Sequence, residues 1–163
     1  MDFAALKKKA LEFKDKTVEF SKKTIEETAV KVSKSSLVIK NNEELEAIIL
    51  KSQNTTFVSQ EWVSKVFTKR SILIVGDWEK EFFKQMLINL PILLTKAFSQ
   101  DIALKLMDVK NKEIDISRYN LLEIPALIVF ENKEVYKIIY SEENLKKVVK
   151  NLTLDINKSI EEL

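Results

Sequence analysis

The amino-acid sequence predicts an α/β domain in which a central mixed sheet is covered by helices on both faces. Short apolar stretches typical of buried strands occur at residues 71–75, 102–109 and 124–130, and stretches with helical character alternate with them. A further apolar stretch, 135–140, follows the last of these after only a short turn, as in a β-hairpin. Alternating strands and helices that end in a hairpin imply a mixed sheet.

The composition is that of a folded protein with balanced charge. A chain of 163 residues, 45% of them hydrophobic, can bury one substantial core. The 27 basic and 25 acidic residues leave a net charge of +2, so we expect no nucleic-acid partner. No apolar stretch approaches the length of about 18 residues that a membrane span needs, and no secretory signal is recognisable. We therefore expect a cytoplasmic protein.

Two residue types that carry much of protein chemistry, cysteine and histidine, do not occur in the chain. Thiol nucleophiles, disulfides, thiolate and imidazole metal ligands and the most common general base are therefore excluded. The single glycine, Gly76, cannot build a glycine-rich phosphate loop. We predict no catalytic residue, no metal site and no cofactor, although carboxylates, lysines and tyrosines could still serve an alternative chemistry.

Residues 1–34 differ from the rest because their apolar residues recur every seven positions without an interrupting proline or glycine. The repeating positions are Ala4, Leu11, Val18, Ile25 and Val32. This spacing predicts one amphipathic helix that mediates oligomerisation or docks to a protein partner. A row of aromatic residues that includes Phe13 and Phe20, with nine lysines against six acidic residues, leaves a peripheral membrane helix as an alternative. A helix that packs on its own domain is a third possibility.

Between this helix and the first buried strand, the sequence predicts one short strand and two helices. Residues 36–39 are typical of a strand, and Asn41 or Asn42 can cap a helix from residue 43 to about residue 51. After a polar break, Ser59 can cap a second helix that runs through Phe67. The whole segment 52–70 is longer than a minimal domain of this class needs.

The remaining elements complete the predicted domain over residues 36–153. A long helix over about 80–98 contains Pro91, which should kink it. A short helix over 114–122 can be capped by Asp115 or Ser117, and an amphipathic helix over 142–152 closes the domain. Residues 154–163 remain as a C-terminal tail.

One segment near the C-terminal hairpin resembles a known family. Residues 119–130 read YNLLEIPALIVF and residues 131–135 read ENKEV. They are similar to the Y-G-I-R-G-I-P-T-L-L-L-F segment and the hairpin turn K-N-G-E-V of the thioredoxin family. The resemblance implies a thioredoxin fold with a sheet of four to five strands, in which Pro125 is cis and lies beside the active site. Because Lys133 replaces the glycine of the turn, we expect a type I turn or a bulge rather than a two-residue turn with positive φ.

A second segment shows that the redox chemistry of that family is missing. Residues 72–78 read ILIVGDW and are similar to the strand I-L-V-D-F-W that precedes C-G-P-C. Aligning Pro91 with the family's helix-kinking proline puts residues 83–86, FKQM, at C-G-P-C and Asp77 at the family's buried acid. Disulfide exchange needs a thiolate, which neither Phe83 nor Met86 can supply. The resemblance therefore implies a redox-inactive, divergent thioredoxin-like protein.

The candidate binding site is an apolar surface beside Pro125. In thioredoxins the edge next to this proline receives an extended peptide backbone, and exposed aromatic residues there would mark a protein-binding surface. The alternatives are that Pro125 serves the fold and that the aromatic residues fill the core, because Phe82 and Phe83 cannot both point inward from one helix. The predicted surface consists of Trp78, Phe82, Phe83, Met86, Ile124 and Pro125.

These observations predict a non-catalytic thioredoxin-like binding or scaffold module. An enzyme that uses an unrecognised carboxylate or lysine in the same groove is the alternative from another class. Asp77 is the carboxylate of most interest, because burial in an apolar setting would raise its pKa. We expect it instead to reach solvent at the strand end or to cap the next helix.

Overall fold

The computed structural model describes residues 31, 35–58, 64–150 and 155–163. The predicted N-terminal helix therefore lies almost wholly outside the described residues. The described elements are α1 (Asn42–Leu50), β1 (Thr55–Val58), β2 (Ser64–Phe67), β3 (Arg70–Gly76), α2 (Glu81–Ile88), α3 (Leu90–Ser99), β4 (Ala103–Asp108), β5 (Ala126–Glu131), β6 (Glu134–Tyr140), α4 (Glu142–Lys150) and α5 (Ile156–Glu162). None of these helices is long and apolar enough to cross a membrane.

A four-stranded mixed sheet in the order β4-β3-β5-β6 forms the centre of the domain. The parallel pair is β3 with β4, while β5 runs antiparallel to both β3 and β6. The strand predicted at 36–39 is reduced to a single parallel bridge between Val38 and Leu106 on the outer edge of β4. The predicted mixed sheet with a closing hairpin is confirmed.

Both faces of the sheet are covered, because successive residues of the two central strands point to opposite sides. Ile72 and Ile74 of β3 pack with α2, α3, α4 and α5 on one face. Leu73 and Val75 pack with α1 on the other. All four side chains are fully buried. Burial of each of these side chains contributes about 1.5–3 kcal/mol to folding. Because β3 supplies such side chains to both faces of the sheet, it lies at the centre of both halves of the core.

The helix predicted from Ser59 through Phe67 is wrong. The described part of this segment pairs as a two-stranded antiparallel sheet, β1 with β2, in which Thr55 lies opposite Phe67. β-Branched residues such as Thr55, Thr56 and Val66 favour extended backbone, and cross-strand pairing outweighs the capping signal of one serine. This antiparallel pair forms no strand pairing with the central sheet. The segment is therefore an insertion that consists of two strands.

Two other predicted helices are shorter than expected. The helix predicted at 114–122 is only a 3₁₀ turn, Ser117–Tyr119. Asp115 does accept the backbone N–H of Ser117 at 3.1 Å, as a cap should, but Asn120 adopts a left-handed φ of 48° and ends the turn. The long helix divides into α2 and α3 at Asn89, which puts Pro91 in the first turn of α3, where its missing N–H does no harm.

The turn between β5 and β6 differs from the expected type I turn. Asn132 and Lys133 both have positive φ, 49° and 68°, as in a two-residue hairpin turn of the primed kind. The buried residue Ser52 holds this conformation: its carbonyl accepts the Asn132 N–H at 2.8 Å and its hydroxyl accepts the Lys133 N–H at 2.9 Å. The pairing of β5 with β6 also contains an irregularity, a register shift between Val129 and Phe130.

The C-terminal residues are part of the domain and not a tail. Asp155 caps α5 by accepting the Asn157 N–H at 2.8 Å, and Ile156 and Ile160 are buried in the core. The guanidinium of Arg70, at the start of β3, donates to Glu161 of α5 at 2.5 Å and to Glu131 of β5 at 3.0 Å. The sequence did not predict α5, because a helix of seven residues is too short to show a clear spacing of apolar residues.

Replacing Lys133 by glycine should stabilise the protein. An L-residue in the left-handed region costs about 1–2 kcal/mol, and glycine avoids this at the expense of a more flexible unfolded chain. We expect Lys133→Gly to raise the free energy of unfolding in urea by about 0.5–1 kcal/mol. Lys112→Gly, in a turn without positive φ, is the matched control and should lower it. Equal effects of the two substitutions would contradict the proposed turn geometry.

Candidate functional site

The segment aligned with C-G-P-C lies in the core of the domain. Phe83 and Met86, three residues apart on one face of α2, are 1% and 3% exposed. The Phe83 ring rests on the backbone of Gly76 so closely that a Cβ on residue 76 would overlap it. The Trp78 ring meets Phe83 edge-on, with centroids 4.9 Å apart. For Phe83 and Met86 the core-filling alternative is therefore the correct one.

Four of the six predicted surface residues still meet around a pocket of about 270 Å³. Phe82, Phe83, Ile124 and Pro125 line it, together with four residues that the sequence did not single out for binding: Asp77, Lys80, Val109 and Glu142. Trp78 and Met86 do not line it. Phe82 is half-buried, and the ammonium group of Lys146 lies 5.6 Å from its ring centroid. The site is thus a small mixed pocket rather than a flat apolar patch.

One wall of the pocket continues into an exposed stretch of chain ahead of β5. The Ile124–Pro125 peptide bond is cis, as the resemblance implies. Leu122 is 85% exposed and Ile124 is 36% exposed. Within the described part of the chain, the backbone N–H groups of Glu123 and Ile124 have no hydrogen-bond acceptor. Among the described residues, this stretch therefore offers two unpaired backbone donors, those of Glu123 and Ile124, next to the mixed pocket.

Comparison with solved structures finds proteins that are similar to this chain in fold. The thioredoxin of Fasciola hepatica matches with a TM-score of 0.50 at 10% identity over 69% of this chain and 95% of that one. A designed protein matches at 0.50 and 14% identity over 78% and 91% of the two chains. Oxidised mitochondrial thioredoxin 3 of Saccharomyces cerevisiae gives 0.48 and 15% identity over 76% and 97%. No protein-family model and no curated protein matches the chain.

The chain has a thioredoxin fold. It is a divergent, thioredoxin-like chain without the C-x-x-C motif, and since it contains no cysteine it cannot carry out thiol–disulfide exchange. At these identities the likeness concerns the fold alone, so the chemistry of the site has to be judged from its own residues.

Asp77, in the place of the family's buried acid, is an ionised carboxylate that reaches solvent. Its Oδ1 accepts the backbone N–H of Glu79 at 3.0 Å and lies 3.5 Å from the Lys110 Nζ. The hydrogen bond from Glu79 is the main reason that the pKa of Asp77 is lowered, and the charge of Lys110 adds to it. The expectation that Asp77 reaches solvent at the strand end is confirmed.

The charges around the pocket do not form a catalytic arrangement. A general base at neutral pH needs a pKa raised toward 7, whereas that of Asp77 is lowered. Lys110 is engaged with Glu79 at 2.6 Å, a bond that raises the lysine pKa further above neutrality. No group of three or more acidic, histidine or cysteine side chains in the described ranges could hold a metal ion.

The role of Asp77 can be tested by titrating its carboxyl group. Because the folded-state pKa is lowered, its stabilising contribution is complete above the ordinary value of about 3.9 and is lost as the pH falls below it. We expect the NMR-detected midpoint of Asp77 to lie below 3.9.

Two variants of Glu79 separate the causes. Glu79→Pro removes the donating N–H and should move the Asp77 midpoint back up, whereas Glu79→Ala keeps the N–H and should leave most of the lowering in place. A midpoint above about 3.9 in the wild-type protein would show that burial of the carboxyl group outweighs the hydrogen bond from Glu79, and would contradict this account of Asp77.

Proposed function

We propose that the chain is a redox-inactive protein-binding module that receives an extended segment of a partner along residues 122–124. The observation that carries the proposal is the exposed stretch before Pro125, whose free backbone donors lie beside a pocket. Backbone hydrogen bonds to such a stretch supply affinity for any extended peptide, and a neighbouring pocket supplies selectivity through side chains.

The pocket favours an apolar side chain of moderate size. Its apolar lining comes from Phe82, Phe83, Ile124 and Pro125, and its volume is about 270 Å³. Lys80 and Glu142 at its border can pair with charges of either sign on the partner. A partner segment with one apolar side chain between polar residues fits these features.

A binding role also agrees with the way in which the helix and the strand beside the pocket are held by the core. Phe83 and Met86 join the pocket wall to the core, and β5 begins directly after Pro125 with fully buried residues. A preformed surface loses little conformational entropy when it binds. Phe83 and Met86 stand where the family has its thiols, so the pocket has no thiol nucleophile, which is why we favour a binding module over an enzyme.

We also propose that residues 1–34 serve oligomerisation or docking. The support is the seven-residue spacing of apolar positions from Ala4 to Val32. The segment would supply an apolar helix face that a folded surface can cover.

Peptide selection on the full-length protein tests the binding proposal. Randomised decapeptides displayed on phage would be selected against the wild-type chain, and the Kd of the enriched peptides would be measured by calorimetry. We expect Ile124→Glu to weaken binding at least about tenfold, since it places a charge at the pocket wall. Backbone amide shifts on peptide addition should be largest at Glu123 and Ile124.

Ile92→Glu is the matched control. Ile92 on α3 is 42% exposed, close to the 36% of Ile124, and lies outside the pocket. Its substitution should change the Kd less than twofold. If the enriched peptides bind Ile124→Glu as tightly as the wild type, residues 122–124 are not the binding edge.

A further inference from the structure

A second concave surface lies far along the sheet from Pro125, between α1 and the outer strand β4. This groove has a volume of about 350 Å³ and a floor of apolar side chains: Ile39, Ala47, Ile48 and Ala103. Glu44, Ala47, Ile48 and Lys51 lie along one stripe of α1, with the small residue Ala47 exposed near its middle. A small residue at such a point lets another helix approach closely.

The outer edge of β4 beside this groove is only partly covered. Leu106 is the point of attachment: its N–H donates to the Leu37 carbonyl at 2.8 Å, and its carbonyl accepts the Ile39 N–H at 2.9 Å. The backbone N–H and carbonyl of Leu104, two residues earlier, point to the same side of β4 as those of Leu106. In the described ranges, no residue forms a backbone hydrogen bond with Leu104 on that side. Proteins generally cover such an edge with a helix or a loop.

The point where the N-terminal segment joins the domain lies at this groove. Ser36 forms part of its rim, and its carbonyl accepts the Lys105 Nζ at 2.7 Å. The Ser35 carbonyl accepts the Val38 N–H at 3.3 Å, so the chain reverses its direction between residues 35 and 38. The turn puts Ser35, where the N-terminal segment joins the described residues 35–58, beside Val38 at the edge of the domain.

We infer that the groove between α1 and β4 is the docking surface for the apolar face of residues 1–34 of the same chain. The inference rests on the docking role proposed for that segment and names the domain of the same chain, rather than a partner, as the surface that it covers. Attachment at Ser36 gives the segment a high local concentration at the groove, so modest contacts suffice to hold it. An amphipathic helix that lays its apolar face into a groove is a common mode of recognition.

The charges on both sides fit this occupant. Glu44 borders one end of the α1 stripe and Lys51 the other, so the rim carries both signs. The segment also carries both signs, with nine lysines and six acidic residues. Val32 and Ile25 are the repeating apolar positions nearest to the point of attachment, which makes them the residues expected over Ala47.

Disulfide trapping in the full-length chain tests the inference. No native cysteine can form a competing disulfide, because the chain contains none. Ala47→Cys would be combined with Ile25→Cys or with Val32→Cys and oxidised under dilute conditions. We expect at least one pair to form an intramolecular disulfide about tenfold faster than the control pair Ala47→Cys/Glu26→Cys. Glu26 is turned about 100° from Ile25 around a helix.

The products on a non-reducing gel distinguish the possible occupants. A fast-migrating monomer supports docking within the chain. A covalent dimer at every concentration means that the segment of a second copy fills the groove, which overturns this inference but keeps the proposed self-association. Equal rates for all three pairs mean that nothing in residues 1–34 lies over Ala47, and this also overturns it.

Hydrogen exchange supplies a readout that does not depend on cysteine. Ala47→Glu puts a charge on the groove floor and should raise amide exchange within residues 1–34 several-fold. Leu50→Glu is the matched control, because Leu50 is exposed on α1 but lies outside the groove. The inference fails if Ala47→Glu and Leu50→Glu leave exchange in residues 1–34 equally unchanged.

Discussion

The contact between the Phe83 ring and the Gly76 backbone is the constraint on which the pocket depends. Gly76 ends the central strand β3, and a side chain there would occupy the space of the ring. The only glycine of the chain is therefore used for a close approach between helix and strand, not for a turn. With Phe83 seated there, α2 is fixed on the sheet and Phe82 is left at the border of the pocket.

This packing explains why the fold persists without its usual chemistry. The sequence resemblance aligns Phe83 and Met86 with the two cysteines of the thioredoxin family, and in this chain both side chains are buried in the core. Burial of two large apolar side chains stabilises the helix–sheet interface by several kcal/mol, of the order expected for such residues. Next to this core, residues 122–124 are exposed, and they form the surface to which we assign the proposed binding of a partner segment.

The sequence predicted the parts of the fold that depend on local pattern. The buried strands β3 and β5 and the helix capped by Asn41 were recognisable because apolar runs and caps act over a few residues. The hairpin of β1 and β2 was missed, since its pairing joins residues about ten positions apart. The turn at Lys133 was misjudged because Ser52, far away in sequence, holds it by two hydrogen bonds.

The candidate site was predicted in outline only. Ile124 and Pro125 were found through the local motif, whereas burial of Phe83 depends on what lies opposite it in the sheet. Lys80 and Glu142 line the pocket because two different helices begin there, and no spacing in the sequence shows that. The isolated glycine at the end of an apolar strand was the one signal that could have revealed the seat of Phe83.

A double-mutant cycle between Gly76 and Phe83 tests the central claim most directly. Gly76→Ala should cost about 1–3 kcal/mol of unfolding free energy in the wild-type background, as overpacking does, and much less when Phe83→Ala has removed the ring. Phe130→Ala empties a similar volume on the opposite face of the sheet and is the control background. An equal cost of Gly76→Ala in all three backgrounds would contradict the account.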